Sequence, residues 1–320
     1  ARAFPAHQPA ARTHPALPEV SSEAREPLYL VDASFFVFRA YYSVGLEMTG
    51  VDGEPVNALY GFSRFLGDLL EQAQPVHIAV AFDESLASSF RNEIYPAYKA
   101  NREPAPPELK RQFAWCRELC RHFGLAEFGS STHEADDIIG TIAARFRSRG
   151  HRAVLVTRDK DLAQLIHAGD AYWDWAAERR LEYADIEGHF GVRPERMADF
   201  LALAGDSVDN IPGVPGVGPK TAAALLKEFA SLEEIYDGLE RVASLPIRGA
   251  AKLAAKLTLH REAAYLARRL TTIACDMPME VTVEQLRRRK PDLAALETFY
   301  DRAKFGAMLR RQAQRIADRA

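Results

Sequence analysis

The 320-residue chain is 48% hydrophobic and carries a formal net charge of −3, enough apolar content for a sizeable core in one large domain or two ordinary ones. So even a balance excludes a uniformly basic coat, and any contact with a polyanion must come from local basic stretches. Three cysteines, Cys116, Cys120 and Cys275, form no Cys-x-x-Cys pair and suggest no disulfide framework, so a reducing cytoplasm is expected; the lack of an apolar run near ~18 residues argues against a membrane-spanning helix.

Residues 1–27 are rich in Ala and Pro without apolar periodicity and are expected to be a disordered tail. Glu19, Glu23 and Glu26 weigh against a transit peptide. Leu28 to Val31 then forms a short apolar strand that ends at Asp32, followed by a helical stretch carrying Phe35, Phe36, Phe38 and Arg39. A Gly-rich loop over 43–55 leads to an amphipathic helix over 56–72. A second apolar strand, His77 to Phe82, ends at Asp83. Unbroken apolar strands alternating with helices predict a parallel sheet covered on both faces.

Residues 88–122 are locally basic, with seven Lys or Arg against four Glu. Tyr95 and Tyr98 interleave with Lys99 and Arg102, which suits single-stranded nucleic acid or a mixed-charge surface. Pro96 and Pro104 leave room for about two turns of helix. On such a helix Lys99 and Arg102 share a face. A piece so short is expected to be mobile until a ligand orders it.

Thr132 to Asp161 predicts a helix, a turn at Gly150 and a strand over 153–157. Glu134, Asp136 and Asp137 open the helix; Asp159 and Asp161 follow the strand. Either group alone suits a helix N-terminus or a solvated turn. Three strands that each run into an aspartate, however, would bring acids to one edge of a parallel sheet, where open α/β sheets carry their sites. Carboxylates so crowded take up protons unless cations neutralise them, and oxygen-only clusters suit Mg²⁺ or Mn²⁺.

Short strands are predicted near 172–175 and 181–183, and a helix over 193–204. The stretch from Gly205 to Phe229 holds Asp206 and Asp209, then Gly213, Gly216 and Gly218, then Lys220 and Thr221 at a helix start. Glycines let a backbone approach phosphate, and a helix start offers free N–H groups. This is similar to a helix-hairpin-helix, which grips a phosphate backbone without reading bases. The remainder is helical in pattern, with a basic final segment over 301–320.

These motifs together resemble the 5′-nuclease (flap endonuclease) family, above all the N-terminal exonuclease domain of bacterial DNA polymerase I. They are LVDASFFVFRAYY, GEPVNALYGF, AVAFD, SFRNEIYPAYKANR, EADD, TRDKDLAQL and GDSVDNIPGVPGVGPKTA, and they span about 28 to 310. The resemblance implies a mainly parallel α/β sheet of PIN-like or resolvase-like type over 28–196, and a SAM-like helix-hairpin-helix region over 197–320. It implies metal-ligating roles for Asp32, Asp83, Glu134, Asp136, Asp137, Asp159, Asp161, Asp206 and Asp209, all acidic here. An arch over about 88–122 would bring Lys99 and Arg102 to the scissile phosphate, while Arg39, Arg91, Tyr98, Gly213, Gly216, Gly218, Lys220 and Thr221 would contact DNA. The implied cofactors are two Mg²⁺ or Mn²⁺ ions, with K⁺ at the hairpin. The implied substrates are DNA with 5′ flaps, nicks or 5′ ends, and RNA–DNA primers, handled by a monomer without a membrane. The polymerase-type members carry Gly where this chain has Ala33. The chain ends at Ala320 with no polymerase region, so a free-standing nuclease or an excised domain is expected. Two alternatives are a PIN-like ribonuclease, which would be shorter and lack 205–229, and a junction-binding scaffold without catalysis.

Overall fold

The structure, a computed structural model, describes residues 26–84, 89–247 and 249–320. The tail expected over 1–27 therefore lies, but for its last two residues, outside the described residues. Six strands form one sheet: β1 (Leu28–Asp32), β2 (His77–Asp83), β3 (Ala126–Ser130), β4 (Ala153–Val156), β5 (Ala171–Asp174) and β6 (Arg179–Glu182). Their order is β3-β2-β1-β4-β5-β6. Every neighbouring pair is parallel except β5 with β6. β1 and β2 are almost wholly apolar because both of their faces are covered. β3, at the edge, was not foreseen: AEFGS is only half-buried and shows no apolar run.

Alternate strand residues face opposite layers. Tyr29, Val31, Ile78, Val80 and Phe82 face one core, built with α1 (Ala33–Ser43), α2 (Asn57–Ala73) and α4 (Pro107–His122), while the short α3 (Phe90–Ile94) packs Ile94 against a separate small cluster. Leu28, Leu30, Ala79 and Ala81 face the other core, led by α5 (Ala135–Arg147). The second core continues without a break into the helical region. That region comprises α6 (Tyr183–Phe190), α7 (Met197–Ala204), α8 (Pro219–Glu228), α9 (Leu232–Asp237), α10 (Leu239–Ala243), α11 (Ala250–Leu259), α12 (Arg261–Thr271) and α13 (Val283–Leu286).

The chain then returns. α14 (Leu293–Arg302) and α15 (Ala307–Asp318) place Leu296, Phe299, Tyr300, Leu309 and Ile316 in the first core, beside α2. The last two helices thus pack with the sheet, not with the helical region in which the sequence placed them. Their basic residues are largely used internally: Arg302 bonds Glu118 at 2.7 Å, Arg310 bonds Asp301 at 2.7 Å, and Arg315 bonds Glu71 at 2.6 Å. Cys116 and Cys120 are buried thiols on α4 and Cys275 is exposed. Among the described residues no helix is long and apolar enough to cross a membrane.

Candidate active site

In this strand order, connections run one way from β1 and the other way from β4, so the crevice between those two strand ends is the place where open α/β sheets bind ligands. Asp32 ends β1 and caps α1 by accepting from the Phe35 amide; its other oxygen accepts from the Thr157 hydroxyl at 2.9 Å. Asp83 ends β2 and accepts from the Ala135 amide at 2.8 Å, which ties it to the start of α5. Asp136 lies in the first turn of α5. Asp159 follows β4 and caps the 3₁₀ turn Lys160–Leu165 through the Asp161 amide, 2.9 Å away. Asp206 and Asp209 come from the loop after α7.

Electrostatics shows that these acids share one basin. Burial, then the charges of Asp83 and Asp159, push Asp32 up to about 7. Desolvation and the charges of Asp159, Asp32 and Asp83 hold Asp136 well above the carboxylate range. Desolvation also raises Asp159. Burial followed by the charge of Asp159 pushes Asp161 up to about 8. Asp206 differs: its own burial would raise it, but the hydrogen bond and charge of Lys160 more than reverse that, and it sits below the usual range.

Cations are seated among these acids. Lys99 Nζ lies 2.8 Å from Glu134 and 3.7 Å from Asp209. Arg102 pairs with Asp209. Lys160 pairs with Asp206 and stands 3.6 Å from Asp161. Among the described residues, no three His, Cys, Asp or Glu side chains are disposed to hold one ion as they stand. The donor set nonetheless fits hard divalent cations: it is all oxygen. Two of its oxygens, Glu134 Oε1 and Asp161 Oδ1, are buried without a hydrogen-bond partner, a costly state unless another ligand uses them.

Three of the residues expected to act at the site stand in buried networks in this structure. Asp137, expected as a metal ligand, is 0% exposed and spends all four lone-pair directions elsewhere. It accepts two bonds from Arg91, at 2.7 and 2.8 Å, and one each from the amides of Glu134 and Ala274, at 3.0 and 2.9 Å. Burial would raise its pKa, but those bonds and the Arg91 charge hold it low. Arg91, expected on DNA, is 3% exposed and also donates to the carbonyls of Leu270 and Thr272, so it is a buried strut. Tyr98, expected to meet a base, is buried with Ala202, Ile211, Ala267 and Leu270, and its hydroxyl donates to Glu134 at 3.1 Å and to Asp209 at 3.3 Å.

The helix expected between Pro96 and Pro104 is a run of turns. Lys99 adopts the left-handed conformation, φ 55°, because its amide donates to the Asp209 carbonyl at 3.0 Å. Asn210 Nδ2 to the Ala97 carbonyl (2.7 Å) and Asn101 Nδ2 to the Ser207 carbonyl (2.9 Å) fasten the segment further. These bonds join the segment to the acidic loop 206–211 and bring Lys99 and Arg102 side by side on Asp209. Beside them a cavity of about 850 Å³ opens, lined by Phe38, Phe82 and Phe113 and by Lys99, Arg102 and Lys110.

The hairpin after α7 is open to solvent at Gly216, Gly218 and Lys220, with Thr221 half-buried. Gly213 and Gly205 pack backbone to backbone, leaving no room for a Cβ on either. At Gly216, φ is 81° and a Cβ would meet the Lys256 ammonium; at Gly218 a Cβ would meet nothing. Arg39 is exposed on α1. Lys160 was missed as a site residue; its place between two acids in DKD was the available signal.

An acid-lined crevice at the sheet's switch point, roofed by a basic turn and joined to a helix-hairpin-helix, defines a nuclease of the resolvase-like class. The chain belongs to the 5′-3′ exonuclease family: residues 27–191 match its N-terminal resolvase-like domain and residues 192–294 its C-terminal SAM fold. It is 39% identical over 283 residues to DNA polymerase I of Pseudomonas aeruginosa, covering 88% of this chain and 31% of that protein. It is 34% identical over 276 residues to a 5′-3′ exonuclease of Buchnera aphidicola subsp. Baizongia pistaciae, covering 86% of this chain and 91% of that one. The chain therefore spans about a third of the polymerase relatives it matches. Among solved structures, T5 5′-exonuclease with bound zinc shares the fold, with TM-score 0.60 and 21% identity over 91% of this chain and 98% of that one. The catalytic core of Rad2 with DNA substrate shares it too, with TM-score 0.61 and 15% identity over 92% of each chain.

Proposed function

We propose that the chain is a divalent-metal-dependent 5′ nuclease that hydrolyses DNA phosphodiester bonds at 5′ ends, nicks and flaps. The observation that carries this reading is the basin itself: Asp32, Asp136, Asp159 and Asp161 are all forced upward in pKa, with orphaned oxygens beside them. That is the signature of a site built for cations. Asp32, Asp83, Asp136 and Glu134 would hold one ion, and Asp159, Asp161, Asp206 and Asp209 a second. Divalent ions held by those acids would supply a water-derived nucleophile at neutral pH and charge stabilisation for the leaving oxygen of a phosphodiester.

The chain's own groups do the rest. Lys99 and Arg102 exchange their carboxylate partners for the scissile phosphate and present positive charge where negative charge develops. The open backbone at Gly216 and Gly218 and the start of α8 grip the duplex by its phosphates without reading bases. No Ser, Cys or His nucleophile is needed. Removal of RNA primers and flaps, K⁺ at the hairpin, a monomeric state and a cytoplasmic location belong to the same proposal. Incubation with 5′-labelled flap, nicked and single-stranded DNA, with and without Mg²⁺, tests it. Cleavage at the branch point or 5′ end only with metal is expected; metal-independent cleavage, or none on any DNA, overturns it.

A further inference from the structure

Among the described residues, four cations stand against the acids of the basin, and they differ in how easily they leave. Arg91 is 3% exposed and fixed by four bonds. The Lys99 side chain is 10% exposed and that of Arg102 32%. Lys160 is the most exposed, at 42%. It is also the one cation supplied by the same turn that supplies acids, between Asp159 and Asp161. Its ammonium lies on Asp206 and 3.6 Å from Asp161, so it bridges two strand-distant elements that the second ion would also bridge.

We propose that Lys160 is a resident counter-cation of the second half of the basin: in the metal-free chain it pairs with Asp206 and stands beside Asp161, and a divalent ion enters that half only by displacing it. The inference rests on the metal-dependent reading above. Neighbouring carboxyls ionise together only when positive charge stands between them. A single ammonium supplies one charge with flexible geometry, whereas a divalent ion brings twice the charge but must expel the ammonium first. Displacement is cheap for Lys160, because its four-carbon stem is flexible and its side chain already reaches solvent, so the backbone of the turn need not move. The Asp161 oxygen that Lys160 faces at 3.6 Å, Oδ1, is buried and makes no hydrogen bond, so the ammonium holds it only loosely. Lys160 thereby sets the affinity of one half of the basin and leaves the half at Asp32, Asp83 and Asp136 alone. It is a positioning residue and need not touch the reacting phosphate.

The test is calorimetric titration of Ca²⁺ into the metal-free full chain, as parent, Lys160→Met and Lys160→Arg, with thermal melting of each. Lys160→Met should tighten the weaker site on the order of tenfold, as expected when a like charge about 4 Å away is removed, and leave the tighter site unchanged. Lys160→Arg should keep the parent's weak binding. Without metal, Lys160→Met should melt below the parent; with saturating Ca²⁺ the gap should close, a metal-dependent convergence that simple loss of packing cannot produce. Unchanged or weaker binding in Lys160→Met overturns the proposal while leaving the metal reading intact. Failure of every form, parent included, to bind Ca²⁺ overturns both.

Discussion

Arg91 and Asp137 are joined by two hydrogen bonds of 2.7 and 2.8 Å, with 3% and 0% of their side chains exposed. The pair ties α3 to the start of α5, and through the carbonyls of Leu270 and Thr272 to the end of α12. Breaking a buried pair on one side leaves an uncompensated charge and costs about 3–5 kcal/mol. Arg91→Ala should therefore lower unfolding stability by that amount in a denaturant titration. A loss below about 1 kcal/mol, with DNA binding weakened instead, would return Arg91 to the DNA-contacting role.

Stability of the metal-free chain should fall as pH rises. Asp32 and Asp161 sit at about 7 and about 8 when folded, against roughly 4 when unfolded. Between about pH 4 and 8 the folded state thus binds more protons than the unfolded one, and stability declines with pH across that window. Asp137 and Asp206 are shifted downward, so their contribution is lost only below about pH 4 and does not disturb the window. Melting in chelator at about pH 5.5 and 8.5 should show the lower midpoint at the higher pH, and added Ca²⁺ should raise the midpoint more there. A flat profile would mean the acids are not crowded.

Lys99 touches Glu134 and Asp209 through one ammonium, and on substrate it would move to the phosphate. Lys99→Ala should cut the single-turnover cleavage rate on the order of 10²-fold, with a much smaller change in DNA affinity, because its charge matters most in the transition state. Equal losses in both would assign it to ground-state binding.

The hairpin glycines separate folding from binding. Gly218 has φ −93° and open space where a Cβ would sit, so Gly218→Ala should fold normally yet weaken duplex binding without changing sequence preference. Gly213→Ala would drive a Cβ into the backbone of Ala204 and Gly205 and should be destabilised. Normal duplex affinity in Gly218→Ala would remove that amide from the phosphate grip.

Much of the site was legible because it rests on local rules. An apolar run ending in Asp is visible residue by residue, and so is a Gly/Pro hairpin before Lys-Thr. What stayed hidden depends on distant partners. A basic residue in a basic stretch reads as surface, and only the fold brings Asp137, 46 residues on, against Arg91. Spacing of Lys99 and Arg102 suggested a helix, but the carbonyl of Asp209 pulls Lys99 into a left-handed turn. β3 pairs with β2 over five residues while carrying Glu127 and Gly129, so its strand state comes from its neighbour. The return of α15 to α2 buries Leu309, Ala313 and Ile316 in the first core, with Gln312 bonding Asp68 and Arg315 bonding Glu71, a partner that no local pattern announces.

Metal-dependent phosphodiester hydrolysis by the acids at the switch point is tested most directly by comparing parent and Asp136→Ala on a 5′-flap DNA, measuring single-turnover cleavage in Mg²⁺ and binding in Ca²⁺. Asp136 is neither a cap partner nor the strut acid, so its loss should leave the fold intact. The parent should cut only with Mg²⁺, and Asp136→Ala should not cut yet bind as tightly or more tightly, since one repulsive charge facing the phosphates is gone. Turnover by Asp136→Ala near the parent's rate would contradict it.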